Sequence, residues 1–145
     1  MSQSHFDRLE RMYLSANVNA MIFDTTTIKI EDGSAQIGLT IHEKYFHALG
    51  AIHGSVYFKL LDDAAFFATN SVVTDVFVLT KSFEIHFRRP VDSGVLRAVG
   101  LLKKSTENSF IAESELLNED GKVVAHGSGE FVKSKVKLTP KIGYK

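Results

Sequence analysis

Between Phe6 and Tyr13 the apolar residues recur at helical spacing. Phe6, Leu9, Met12 and Tyr13 share one side, and Asp7, Arg8, Glu10 and Arg11 fill the rest. The pattern predicts an amphipathic helix over residues 4–16. Two β-rich stretches follow, at about 22–31 and 35–42, separated by the turn signal Glu31-Asp32-Gly33-Ser34. Residues 54–70, GSVYFKLLDDAAFFATN, carry only Lys59, Asp62 and Asp63 as charges. A helix so apolar on nearly every side is expected to be buried on nearly every side, with Asn70 closing it.

From residue 76 the period changes to two. Phe77, Leu79, Phe83, Ile85 and Phe87 fall on one face of a strand over 76–89, and Thr80, Ser82, Glu84, His86 and Arg88 fall on the other. Lys81 interrupts the apolar face. Pro90 has no N–H for a ladder and ends the strand or marks an edge. Three further strands are predicted at about 94–104, 109–118 and 122–133, joined by turn-like links that make neighbouring strands antiparallel hairpins. The order is helix, two strands, buried helix, four strands. It predicts an α+β fold in which one long antiparallel sheet is wrapped around a central α-helix. No repeat or linker divides the chain, so residues 1–145 are expected to form a single domain with a basic segment at about 134–145.

Charge and composition narrow the chemistry. Seventeen Lys and Arg balance seventeen Asp and Glu, which removes the basic excess that nucleic acid or an anionic membrane recruits. Without cysteine there is no disulfide, thiolate nucleophile, Cys-ligated zinc or iron–sulfur cluster. No apolar run approaches the roughly 18 residues of a membrane span. The N-terminal MSQSHFDRLERMYL is too polar for a signal peptide, so a cytoplasmic enzyme or binding domain is expected.

Several familiar signatures are incomplete. Gly100-Leu101-Leu102-Lys103-Lys104-Ser105 lacks the second glycine of a phosphate loop and reads as strand. Gly127-Ser128-Gly129 lies inside a strand pattern, where small residues serve close packing. None of the six histidines forms an i, i+4 pair beside an acid, so no metal site is expected. A triad of Ser55, His53 and Asp62 is discounted, because nothing in the sequence orients the imidazole between a hydroxyl and an acid. Asp62 is different. Its helical neighbours Phe58, Ala65 and Phe66 make an apolar patch, whereas Asp63 stands four residues after Lys59 and can form an ion pair with it. A carboxylate facing an apolar cleft is placed for base or nucleophile chemistry. His53-Gly54-Ser55 begins the same helix, where amides without internal partners can polarise a carbonyl oxygen.

The stretch His47–Phe67, HALGAIHGSVYFKLLDDAAFF, resembles the signature of hotdog-fold acyl-CoA thioesterases of the phenylacetate-degradation (PaaI-like) type. His53-Gly54 matches the family's histidine–glycine pair, and the acid nine residues on is Asp62. HFRRP at 86–90 resembles the family's strand end, and Thr80 falls where relatives carry Ser or Thr. Two positions depart: His47 stands for an asparagine and Ser55 for a second glycine. The resemblance covers roughly residues 20–133 and implies the hotdog fold. It also implies hydrolysis of an acyl-CoA thioester to acid and CoA, with no cofactor beyond the CoA of the substrate.

In that implied reading Asp62 is base or nucleophile, the Gly54 and Ser55 amides polarise the carbonyl, and His53 shapes the loop. His47 and Thr80 position water or substrate, Phe58 and Phe66 suit the acyl group, and Arg88 and Arg89 suit the CoA nucleotide. The competing readings are a non-catalytic acyl-CoA sensor on the same fold and a hotdog dehydratase or hydratase. The resemblance further implies a homodimer or homotetramer, pairing the 76–89 strand so that one helix start approaches the partner's acid. Lys133, Lys135, Lys137, Lys141 and Lys145, with no acid among them, read as a solvated, partly disordered terminus or as a phosphate attractor.

Overall fold

The structure, a computed structural model, describes residues 3–145. Helix α1 (Gln3–Ser15) buries His5, Phe6, Leu9, Met12 and Tyr13, and a short helix α2 (Asn17–Met21) follows. Strands β1 (Thr27–Glu31) and β2 (Ser34–Thr40) form a hairpin whose turn holds Gly33 at φ 74°, a conformation that favours glycine. Helix α3 (Gly54–Asn70) precedes β3 (Val76–Phe87), β4 (Val95–Ser105), β5 (Ser109–Leu117) and β6 (Val123–Lys137).

The six strands form one antiparallel sheet in the order β1-β2-β4-β5-β6-β3. Helix α3 touches all of them. Leu60, Leu61, Ala64 and Ala65 are completely buried in this contact. At Gly100 the backbone of β4 lies so close to the Ala64 carbonyl that a Cβ would collide with it. Ser114 on β5 donates a 2.8 Å hydrogen bond to the Leu61 carbonyl, a second tie between sheet and helix. A long antiparallel sheet wrapped around a central helix is the hotdog fold.

Four local expectations need correction. Residues 22–26 are not strand: α2 ends at Met21, Phe23 stacks on Tyr45 at 5.0 Å, and β1 begins only at Thr27. Strands β3 and β4 are consecutive but not paired; β3 joins β6 at the sheet edge, and β4 sits between β2 and β5. The segment 134–145 is not a loose terminus. Residues to Lys137 continue β6, and Pro140–Ile142 forms a 3-10 turn whose neighbour Tyr144 reaches His5.

The fourth correction concerns β3, which does not keep one alternation. Its register with β6 slips between Thr80 and Ser82, leaving Lys81 as an extra residue. A one-residue slip exchanges the two faces of a strand. Before it, Val78 and Thr80 face α3; after it, Phe83 and Ile85 do. Leu79, assigned to the apolar face by simple alternation, is 49% exposed. Gly127 and Gly129 on β6 leave the space that the Phe83 ring fills, a Cβ at either coming within 2.5 Å of it.

Candidate active site

Asp62 sits half-buried in the middle of α3 and opens onto a cavity of about 800 Å³. The lining is mostly apolar: Met12, Val18, Phe66, Phe67, Phe77 and Leu79 contribute to it. Thr80, brought to this side by the bulge at Lys81, donates from Oγ1 to Asp62 Oδ1 at 2.8 Å. Burial pushes the Asp62 carboxyl up to about 6. The Thr80 hydrogen bond and the Lys59 charge oppose that rise, and the Asp63 charge adds to it.

Asp63, one residue on, has a different environment. Its Oδ2 accepts from Lys59 Nζ at 2.8 Å and from the Tyr13 hydroxyl at 2.6 Å. Lys59 also donates to Asn19 Oδ1 at 2.7 Å and to the Tyr13 hydroxyl at 3.1 Å, which uses all three of its protons. The lysine is therefore committed to Asp63 and its neighbours. Burial and the Asp63 charge push the Tyr13 hydroxyl strongly up, so it remains a donor at any physiological pH.

At the start of α3, His53 is the N-cap. Its Nδ1 accepts from the Ser55 N–H at 3.0 Å and lies 2.8 Å from Ser55 Oγ. The Val56 N–H donates to the His53 carbonyl. Among the described residues, the Gly54 N–H alone in this first stretch of the helix has no acceptor. The expectation of two free amides is thus corrected: the Ser55 N–H is held by the cap, and Gly54 carries the open donor. The discounted triad stays discounted. An imidazole nitrogen does reach the Ser55 hydroxyl, but no acid holds the other nitrogen among the described residues.

The remaining candidates do not share one place. Tyr57 donates to the Arg89 carbonyl at 2.8 Å and its ring lies 5.5 Å from Phe87, which in turn faces Gly54, so the Arg89 backbone lies at the helix-start end. Arg88 and Arg89 line a separate cleft with Glu115, Lys122 and His126. His47 is at the helix-start end too, in the loop that pairs Phe46 with Ile52, with its Nδ1 accepting from the Leu49 N–H at 3.1 Å. Phe66 lies beside Asp62 in the cavity wall, 5.1 Å from Phe77. Phe58 does not line this cavity; it is 38% exposed and packs edge-on to Phe83 at 5.4 Å. Eight residues separate Gly54 from Asp62, about 12 Å along the helix axis at 1.5 Å per residue. Within one chain, the open amide and the carboxylate therefore cannot address the same carbonyl group.

The family model described as Thioesterase superfamily matches residues 49–125, which include α3, β3 and β4. The chain belongs to the thioesterase superfamily. No curated protein sequence matches it. Its fold is shared with the PaaI protein of the E. coli phenylacetic acid degradation operon: TM-score 0.82, 22% identity, covering 95% of this chain and 99% of that one. A conserved protein of Pseudomonas aeruginosa aligns at TM-score 0.75 and 24% identity over 85% and 97% of the two chains. A mutant of the phenylacetic acid degradation protein PaaI from Thermus thermophilus aligns at TM-score 0.70 and 21% identity over 81% and 97%.

In this member of the superfamily the cavity walls come partly from segments that the motif does not touch. Tyr13 and Met12 on α1, Asn19 on α2, and Val136 and Ile142 near the C-terminus all line it. Local pattern marks Met12 and Tyr13 as buried, but nothing local says that their partners are Lys59 and Asp63. Asn19 carried no signal that sets it apart from Asn17 two residues before. Ile142 carried none.

Proposed function

We propose that the protein hydrolyses an acyl-CoA thioester to the free acid and CoA, with Asp62 as general base. The observation that carries this reading is Asp62 itself: a carboxylate in a mostly apolar cavity, oriented by Thr80, in a thioesterase-superfamily chain. A base with its pKa raised to about 6 is ionised at neutral pH and strong enough to take a proton from water. The resulting hydroxide adds to the thioester carbonyl, and the oxygen gains negative charge. The carbon–sulfur bond then breaks, and the CoA thiolate leaves and is protonated from the water-derived proton on Asp62.

The oxyanion needs a donor that Asp62's own helix cannot supply at that distance. The Gly54 N–H at the positive end of α3 is suited to it, and a second copy of the chain would bring it there. The exposed edge of β3 supports such an assembly, because a twelve-residue edge strand is otherwise a liability. The acyl group would lie against Phe66, and Arg88 and Arg89 would attract the CoA phosphates. His47 would hold water or the thioester by its free ring nitrogen.

The test is release of free thiol from a panel of acyl-CoAs by wild type and by Asp62→Asn. Hydrolysis by wild type that drops about a hundredfold or more in the variant is expected. Tight binding of acyl-CoA without turnover would replace this reading with a sensor.

A further inference from the structure

The C-terminal segment reaches the cavity from the end away from the carboxylate. Ile142 and Val136 line it together with Met12 on α1 and Phe67 on α3. Asn70, the last residue of α3, stands eight residues beyond Asp62, about 12 Å along the axis. Phe66 and Phe67 occupy the interval. The cavity therefore extends from the reacting carboxylate along α3 toward the place where the C-terminus crosses it.

That crossing is held on several sides. His5 Nδ1 lies 2.7 Å from the Tyr144 hydroxyl, and its Nε2 lies 3.0 Å from the Asn70 carbonyl. One buried imidazole thus joins α1, the end of α3 and the C-terminal segment. The Arg8 guanidinium stands over the Tyr144 ring at 5.8 Å, and Arg11 Nε donates to the Lys145 carbonyl at 2.5 Å. Gly143 has φ 93°, and a Cβ there would come within 3.0 Å of Ser15 Oγ and 3.3 Å of Met12 Cα. The backbone is thereby pressed onto α1, and the preceding Ile142 is fixed against the cavity.

We propose that Ile142 is a specificity-determining residue: it forms the far wall of the acyl cavity and, held by the His5–Tyr144 latch, sets the longest acyl chain that the site accepts. The proposal rests on the acyl-CoA reading above. A wall of this kind discriminates steeply, since one methylene in an apolar pocket changes kcat/KM by roughly ten- to two-hundredfold. Trimming Ile142 lengthens the cavity, and enlarging it shortens the cavity. A residue needed only for folding would shift neither preference in a signed way.

The experiment measures kcat/KM for butanoyl-, hexanoyl-, octanoyl-, decanoyl- and dodecanoyl-CoA with wild type, Ile142→Ala and Ile142→Phe. In parallel, calorimetry measures binding of the corresponding free fatty acids, which needs no hydrolysis. Ile142→Ala is expected to move the preferred chain to a longer member and to raise the long-to-short ratio by about tenfold. Ile142→Phe is expected to move it to a shorter one. Should Ile142→Ala fail to fold, Ile142→Val should give the same direction with smaller amplitude. An unchanged ranking in a wild type that does hydrolyse the panel overturns the wall and leaves the thioesterase reading standing. No hydrolysis by wild type, with fatty-acid binding still shifted in opposite directions, overturns the thioesterase reading and supports the wall. A wild type that neither hydrolyses nor binds overturns both.

Discussion

Thr80 Oγ1 donates a 2.8 Å hydrogen bond to Asp62 Oδ1, tying the bulged strand β3 to the centre of α3. The bond fixes one carboxylate oxygen of a residue that lines the cavity. It also works against burial: desolvation disfavours the charged carboxylate, and a donor aimed at it favours that form.

The pH dependence follows from this opposition. A base must be ionised to act, so kcat/KM should rise with pH through about 6 and level off above it. Thr80→Val removes a donor to the ionised form and should move that acidic limb to higher pH, while Thr80→Ser should leave it in place. A limb that stays put in Thr80→Val would show that the hydroxyl does not tune this carboxylate.

The same shift bears on stability. The folded protein holds the Asp62 proton more tightly than the unfolded chain, whose carboxyl keeps its ordinary 3.8. Stability from this group is therefore greatest below 3.8 and is lost as pH rises from 3.8 through about 6. Asp62→Asn should be more stable than wild type in neutral buffer, and the advantage should shrink as the pH is lowered across that window. Denaturant titrations at several pH values measure it; a constant difference would rule the linkage out.

Asp62 and Asp63 should separate cleanly by effect. Asp62→Asn is expected to lose turnover by about a hundredfold or more with folding intact. Asp63→Asn breaks the half-buried ion pair with Lys59 and removes the charge from the acceptor of the Tyr13 hydroxyl, and should cost about 2 kcal/mol of stability, the scale of hydrogen bonds to charged groups. Thermal unfolding and thiol-release rates on both variants settle the matter. Near-normal activity in Asp62→Asn with activity lost in Asp63→Asn would reverse the assignment.

Gly54→Pro tests the open amide. Proline suits the first position of a helix, and His53 already has the extended backbone (φ −63°, ψ 143°) that a following proline requires. The substitution deletes one N–H, and the nearby Phe87 ring, 56% exposed, can yield to the added atoms. Loss of about a hundred- to a thousandfold in kcat is expected for an oxyanion donor. Mixing this variant with Asp62→Asn after reversible dissociation should restore activity, because mixed assemblies hold one intact pair of groups. No restoration would rule out a site shared between the Gly54 amide of one subunit and the Asp62 carboxylate of another.

His53→Ala should lower stability by about 1 kcal/mol through loss of the cap, and His53→Asn should recover most of it. Chemical denaturation of the three proteins is the measurement. Equal midpoints would mean that the cap contributes nothing.

Much of this molecule is legible locally. The span 54–70 is apolar on nearly every side, and it folds as a helix with those bounds, buried at its centre. The turn at Gly33 lies where the pattern ends one strand and begins the next. Asp62 stands apart from Asp63 because Lys59 is four residues before the latter, a spacing that sequence displays directly.

Other features lie in contacts between residues far apart in the chain. Alternation assigned Thr80 to the face opposite Phe83, and the bulge at Lys81 puts both toward α3. A bulge is fixed by register against a distant partner strand, here β6, and periodicity within β3 carries no record of it. The pairing of β4 with β2 rather than β3 is of the same kind. Sequence by itself determined the order of elements, the buried helix and the acid placed on it. Tertiary structure decided what the acid faces. The cavity is closed by α1 and Ile142, which sit about fifty and about eighty residues away from Asp62 and meet it only when the sheet has wrapped the helix.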